Sequence, residues 1–262
     1  MRNTYFDLTE ELNAQGPIAA LASGQAVVFY RLALMSKDGD WILRETPEAC
    51  RQALAVLEKY GARYRPGAPL DVRWLRGGWS SHFEFSDPQG RRIRCDFLSR
   101  PPRVSLDEVA ALFSPSREPE PMLVVGVEPL IRMKQTQRAK DYPVIGELAR
   151  LQPPAREVEL TTDPDRVLAL ATAYGKGSGR LPVRAARAGG AREDVVIALA
   201  READRLQQED RARLEKYRMA SDAYLHEVQA ARIGDLSLPH AHERICEIAD
   251  RWLPYNPIET GG

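Results

Sequence analysis

Apolar and polar positions divide this chain into short segments. Leu8 and Leu12 fall on one face of an amphipathic helix over Phe6–Asn13, since residues four apart share a helix face. Pro17-Ile-Ala-Ala-Leu-Ala22 reads as a buried strand, Ser23-Gly24 as a tight turn, and Gln25–Leu34 as a helix apolar all round. Asp40-Trp-Ile-Leu43 reads as the next strand. Thr46-Pro47-Glu48 opens a helix to about Tyr60, with an N-cap, proline at the first position and an acid in the first turn, and Gly61 stops it with Leu54, Val56 and Leu57 on its core side. Alternation predicts strands over Asp71–Leu75, His82–Phe85 and Arg92–Leu98, separated by a glycine turn at Arg76–Ser80 and a reverse turn at Asp87–Gly90. In the last strand Ile93, Cys95 and Phe97 share one face and Arg92, Arg94 and Asp96 the other.

Ser105-Leu-Asp-Glu108 has capping-box spacing and starts a helix to Phe113. A proline-rich linker over Ser114–Pro121 precedes a strand at Met122–Val125, a helix at Glu128–Lys134 and another over Arg138–Arg150. Beyond Gln152–Ala155 the texture becomes helical. Asp163-Pro164 opens a short helix, and Tyr174–Arg180 and Arg187–Gly190 read as flexible. Arg192–Ile233 reads as one long charged helix or a pair, with Val196, Leu199, Leu206, Leu214, Tyr217 and Tyr224 as its stripe, and Leu238–Leu253 as a last helix. The whole predicts an α+β fold with a mixed sheet over residues 1–152 and a helical region over 153–262.

Composition removes some classes of function. With 262 residues the chain is long enough for a real core, and 37 basic residues balance 37 acidic ones, so no general basic field coats it for nucleic acid. Its cysteines, Cys50, Cys95 and Cys246, are too scattered for a metal site or a disulfide framework and suit a reducing cytoplasm. No run is apolar enough to span a bilayer, and the N-terminus does not read as a signal peptide.

The candidate chemistry centres on Asp38-Gly39-Asp40. If this is the start of a strand, both carboxylates project to one face, half of a site for a hard divalent cation. Asp-Gly is equally a turn pair, so Lys37–Asp40 also reads as a hairpin loop. Asp96 reads either as the missing partner or as a solvated residue paired with Arg92 or Arg94. Arg73, Arg76, Arg91, Arg92, Arg94, Arg100 and Arg103, with Trp74 and Trp79, read as a groove for RNA or a nucleotide, or as ordinary strand polarity. Gly175-Lys-Gly-Ser-Gly-Arg180 lacks the order of a phosphate loop, and His240 and His242, two apart on a helix, do not share a face.

A small-residue turn, a spaced Asp-x-Asp and a later lone Asp together resemble the nucleotidyltransferase superfamily that includes DNA polymerase beta. Leu130-Ile-Arg-Met-Lys134 with Arg138-Ala-Lys-Asp141 is similar to an element of small bacterial nucleotidyltransferases, among them toxins of abortive-infection toxin–antitoxin systems. The resemblance implies a Mg²⁺- or Mn²⁺-dependent enzyme that moves a nucleotide from an NTP to a hydroxyl of tRNA, a protein or a small molecule, with a cognate antitoxin as a partner. It assigns Asp38, Asp40 and Asp96 to metal and catalysis, and Ser23, Gly24, Ser36, Lys37, Lys134, Lys140 and Asp141 to the nucleotide. The chain departs from the pattern at Gly39, where the family has an apolar residue, at Leu34, where it has arginine, and in its Ser-Gly order. A relative that binds nucleotide or a partner without turnover is the other expectation.

Overall fold

The structure is a computed structural model that describes residues 3–114 and 122–258. Most of the expected linker at Ser114–Pro121 lies outside the described residues. Two compact units emerge, Met1–Val125 with Glu215–Gly262, and Gly126–Leu214. They divide the chain at other points than 152, because the chain beyond Glu215 groups with the sheet and the helices after 152 group with those just before it.

In the first unit, α1 (Thr4–Leu12) leads to β1 (Ala19–Ala22), α2 (Ser23–Phe29) and β2 (Asp38–Leu43). Next come α3 (Pro47–Lys59), β3 (Arg63–Tyr64), α4 (Val72–Leu75), β4 (Ser81–Ser86), β5 (Arg92–Leu98) and α5 (Leu106–Leu112). The strands form one sheet in the order β1-β2-β5-β4-β3. Among the named strands β2 and β5 pair in parallel, and the β1–β2, β5–β4 and β4–β3 pairs are antiparallel. The α+β class and the mixed sheet flanked by helices are as expected.

The sheet has an apolar and a polar face. Trp41 lies beside Phe97 across β2 and β5, and the rings stack with centroids 5.3 Å apart. Phe83 on β4 meets Phe97 edge-on. Trp41 is fully buried, and its indole N–H donates to Thr9 Oγ1 of α1 at 2.9 Å. Satisfying that buried donor fixes both the ring and the helix above it.

Several local expectations fail for identifiable reasons. The helix expected to Leu34 ends at Phe29, and Arg31 takes a left-handed φ of 61°. Asp71–Leu75 is no strand: Asp71 accepts the Arg73 N–H as an N-cap, and the neighbours Trp74 and Leu75 are both buried, as a helical turn permits. Met122–Val125 makes only an isolated parallel bridge from Val124 to Leu21. The basic aromatic groove is absent as such. Trp74 and Trp79 are buried and donate to the Leu253 and Pro254 carbonyls, while Arg73, Arg76, Arg91, Arg92 and Arg100 pair with Asp71, Glu45, Asp87, Glu84 and Glu45.

The second unit contains α6 (Val127–Lys134), a single 3₁₀ turn at Ala139–Asp141, α7 (Tyr142–Ala149), α8 (Pro154–Leu160), α9 (Pro164–Tyr174) and α10 (Leu181–Arg187). The first part of α11 (Arg192–Ala230), one unbroken helix, completes it. Val158, Val167, Val183, Val195 and Leu199 form its core, so Val195 and not Val196 leads the apolar stripe. Arg180, placed by sequence in a flexible loop, is tied to Glu202 at 2.6 Å and to the Val158 and Thr161 carbonyls.

The end of α11 and α12 (Leu238–Trp252) belong to the first unit. Buried Tyr64 accepts the Leu70 N–H and lies 2.8 Å from His242 Nδ1 on α12. Burial lowers the His242 pKa below its ordinary 6.5. The folded protein therefore resists protonating a ring that the unfolded chain protonates freely. Stability from this group is present above pH 6.5 and is lost as pH falls through the lower folded value. The fall in melting temperature between pH 7.5 and 5.5 is expected to shrink in His242→Asn, which keeps an acceptor but cannot titrate; an equal fall in both proteins counts against this.

Candidate active site

The polar face of the sheet is built by register. Asp38 and Asp40 are two apart on β2 and so project to the same side. Asp40 lies directly beside Asp96 of β5, and Asp38 beside Arg94. On the other flank of β5, His82 of β4 lies beside Asp96, and Glu84 beside Arg94. Asp38-Gly39-Asp40 is thus a strand start, not a hairpin loop.

Each anion has a cationic or hydrogen-bonding neighbour. Arg94 Nη1 lies 3.5 Å from Asp38 Oδ1, within ion-pair reach. That oxygen is nevertheless buried and makes no hydrogen bond, so the guanidinium is near it but not aligned with it. Asp96 Oδ1 lies 2.8 Å from His82 Nδ1 and 3.4 Å from Arg65 Nη1. Arg65 also reaches Glu84 at 3.6 Å.

The loop before β2 is held from below. Gln25 donates to the Ser36 carbonyl at 2.9 Å, and Tyr5 donates to the Lys37 carbonyl at 2.6 Å. Burial raises the Tyr5 pKa to about 12, which keeps it a donor. Ser23 enters α2 with a left-handed φ of 47°, a conformation that costs an L residue about 1 kcal/mol. A side chain on Gly24 would place its Cβ 2.2 Å from Ser36 Oγ. Gly24 therefore gives its space to Ser36, and it sets how closely the loop meets α2.

A cavity of about 610 Å³ opens beside Asp38, lined by Asn3, Gln25, Ser36, Lys37 and Arg94 among others. Leu34 and Met35 stand exposed at this cavity. A second cavity, of about 790 Å³, lies against α5 and Glu45 and includes none of the three aspartates.

Ser36, Lys37 and Asp38 are thus gathered at one cavity, with Asp40 and Asp96 on adjacent strands. Lys134, Lys140 and Asp141 lie in the second unit. There Lys134 is buried and pairs with Asp141 at 3.6 Å, while Lys140 is exposed. Sequence reasoning missed His82, Arg65, Tyr5 and Gln25. The expected turn at Asp87–Gly90 would set His82 opposite Cys95; the hairpin instead closes through Asp87 and Arg91, which centres it on Gln89 and sets His82 opposite Asp96.

Among the described residues no three His, Cys, Asp or Glu side chains are gathered closely enough to hold a metal ion as they stand. The donor chemistry still suits a hard cation. Carboxylates from adjacent strands converge on one face, and the buried Asp38 Oδ1 lacks a hydrogen bond that a cation would replace.

No protein-family model and no curated protein matches the chain. Among solved structures it is similar to a provisionally assigned nucleotidyltransferase from H. pylori, with 12% identity and a TM-score of 0.39, covering 80% of this chain and 96% of that one. It is also similar to JHP933 from Helicobacter pylori, with 11% identity and a TM-score of 0.41, covering 84% and 96%. Likeness at this level says nothing about chemistry.

Proposed function

We propose that this protein is a nucleotidyltransferase that moves a nucleotidyl group from an NTP to a hydroxyl acceptor. The observation that carries the reading is the register of β2 and β5, which sets Asp40 beside Asp96 with Asp38 on the same face. Asp38, Asp40 and Asp96 would hold Mg²⁺ or Mn²⁺, which supplies positive charge against the α-phosphate. Lys37 and Arg94, at the cavity beside Asp38, meet the triphosphate electrostatically. In the transfer, the acceptor oxygen bonds to the α-phosphorus, the bond from that phosphorus to the β-bridging oxygen breaks, and pyrophosphate leaves. The acceptor proton passes to the Asp96 carboxylate. The acceptor classes are tRNA, a protein side chain or a small molecule, and a toxin-type action restrained by an antitoxin is the finest version of the reading.

A second reading, nucleotide binding without turnover, is favoured by one observation. Asp38 already faces Arg94 at 3.5 Å, so turnover requires Asp38 to exchange this neighbour for a cation. Incubation of the full chain with each α-labelled NTP, Mg²⁺ and total cell RNA or protein separates the two. Label transfer that disappears when Asp38→Ala and Asp40→Ala are combined supports the enzyme; transfer that survives in the double variant refutes it. Bound NTP with no transfer by the wild type leaves the binding reading.

A further inference from the structure

Resting on that reading, we propose that His82 is a positioning residue that orients Asp96 for cation binding. Three features of the first unit converge on this imidazole. The β4–β5 register sets His82 directly across from Asp96. His82 Nδ1 lies 2.8 Å from Asp96 Oδ1, and since a carboxylate can only accept, Nδ1 carries the hydrogen. The ring sits in a slot shaped by Gly67, where an added Cβ would lie 2.4 Å from His82 Cδ2.

That slot is itself held rigid. The His82 carbonyl accepts the Arg65 N–H at 2.9 Å, and the Gly67 carbonyl accepts the Tyr224 hydroxyl at 2.8 Å. The ring therefore has little freedom to turn away. Arg65 completes the cradle, reaching Asp96 Oδ1 at 3.4 Å and Glu84 at 3.6 Å. Both contacts are made to Oδ1, which leaves Oδ2 of Asp96 outside them. A carboxylate pinned by one oxygen presents the other in a fixed direction, here on the face it shares with Asp38 and Asp40. Partners that orient a ligand in this way contribute about 10–100-fold in metal affinity or activity.

Mn²⁺ titration of the full-length protein, followed by electron paramagnetic resonance, tests the role without depending on turnover. His82→Ala is expected to weaken Mn²⁺ binding about tenfold. His82→Asn, whose amide N–H reproduces the donor, is expected to restore most of it. Gly67→Ala, which pushes the ring from its slot, is expected to behave like His82→Ala and gives a second measure if that variant fails to fold. In the transfer assay the same loss is expected in kcat, with the KM for NTP within about twofold of wild type. Equal Mn²⁺ affinity in wild type and His82→Ala overturns the proposal. So does wild-type protein that binds Mn²⁺ no better than the Asp38→Ala, Asp40→Ala double variant. Weakened Mn²⁺ binding in a protein that transfers no nucleotide keeps the role of His82 and refutes the transferase; transfer that needs Asp38 but not His82 does the reverse.

Discussion

Asp40→Asn is expected to reduce nucleotidyl transfer by roughly 10³-fold while leaving the protein slightly more stable. The change keeps the side chain's size and removes one negative charge. Asp40 is the third residue of β2 and lies directly beside Asp96, so two anions face each other across β2 and β5. Like charges in such positions destabilise a sheet by about 0.2–1 kcal/mol. Removing one relieves that repulsion, and for a chain of this size the melting temperature should rise by about 1–3 °C. The same charge is what the proposed chemistry needs, since a single well-placed electrostatic group contributes about 10²–10³ in rate and loss of a direct cation ligand sits at the upper end. A residue kept for stability would show the opposite pattern, lower melting temperature and unchanged transfer. Thermal unfolding and label transfer on one preparation decide between them, and transfer within about threefold of wild type would remove Asp40 from the site.

Much of this site was legible because its parts are local. The alternation of Arg92–Leu98 places Asp96 on the polar face, and the structure buries Ile93, Cys95 and Phe97 behind it. Caps were equally readable: Thr46 accepts the Ala49 N–H and Ser105 forms a complete capping box with Glu108. What failed depends on partners far along the chain. Arg76 and Arg100 of the expected groove are taken up by Glu45 from another element, and Arg73 also reaches Asp250. Likewise, nothing local in Trp74 or Trp79 announces that carbonyls of Leu253 and Pro254 will receive their indole N–H groups.

Gly39, between the two acids of β2, gives the largest expected effect on stability. Strand propensity alone favours valine over glycine at an interior strand position. Here Gly39→Val is expected to destabilise the protein by about 3 kcal/mol, at the upper end of overpacking costs. The reason lies on the apolar side of β2. A Cβ on Gly39 would stand 2.5 Å from Tyr5 Cδ1 and 2.5 Å from Trp41 Cη2, far inside van der Waals contact. Neither ring can swing aside cheaply. Trp41 would lose its bond to Thr9 and its stacking on Phe97, and Tyr5 would lose its bond to the Lys37 carbonyl. Two aromatic rings from neighbouring positions therefore occupy the volume a side chain at position 39 would need, and the acids keep their strand. Melting temperature should fall by roughly 6–12 °C in Gly39→Val. Adding Tyr5→Ala should recover part of that fall, because the two changes share one space and cannot be additive. An unchanged melting temperature in Gly39→Val, or strict additivity in the pair, would mean that the rings do not fill this position, and the strand start that carries Asp38 and Asp40 would need another explanation.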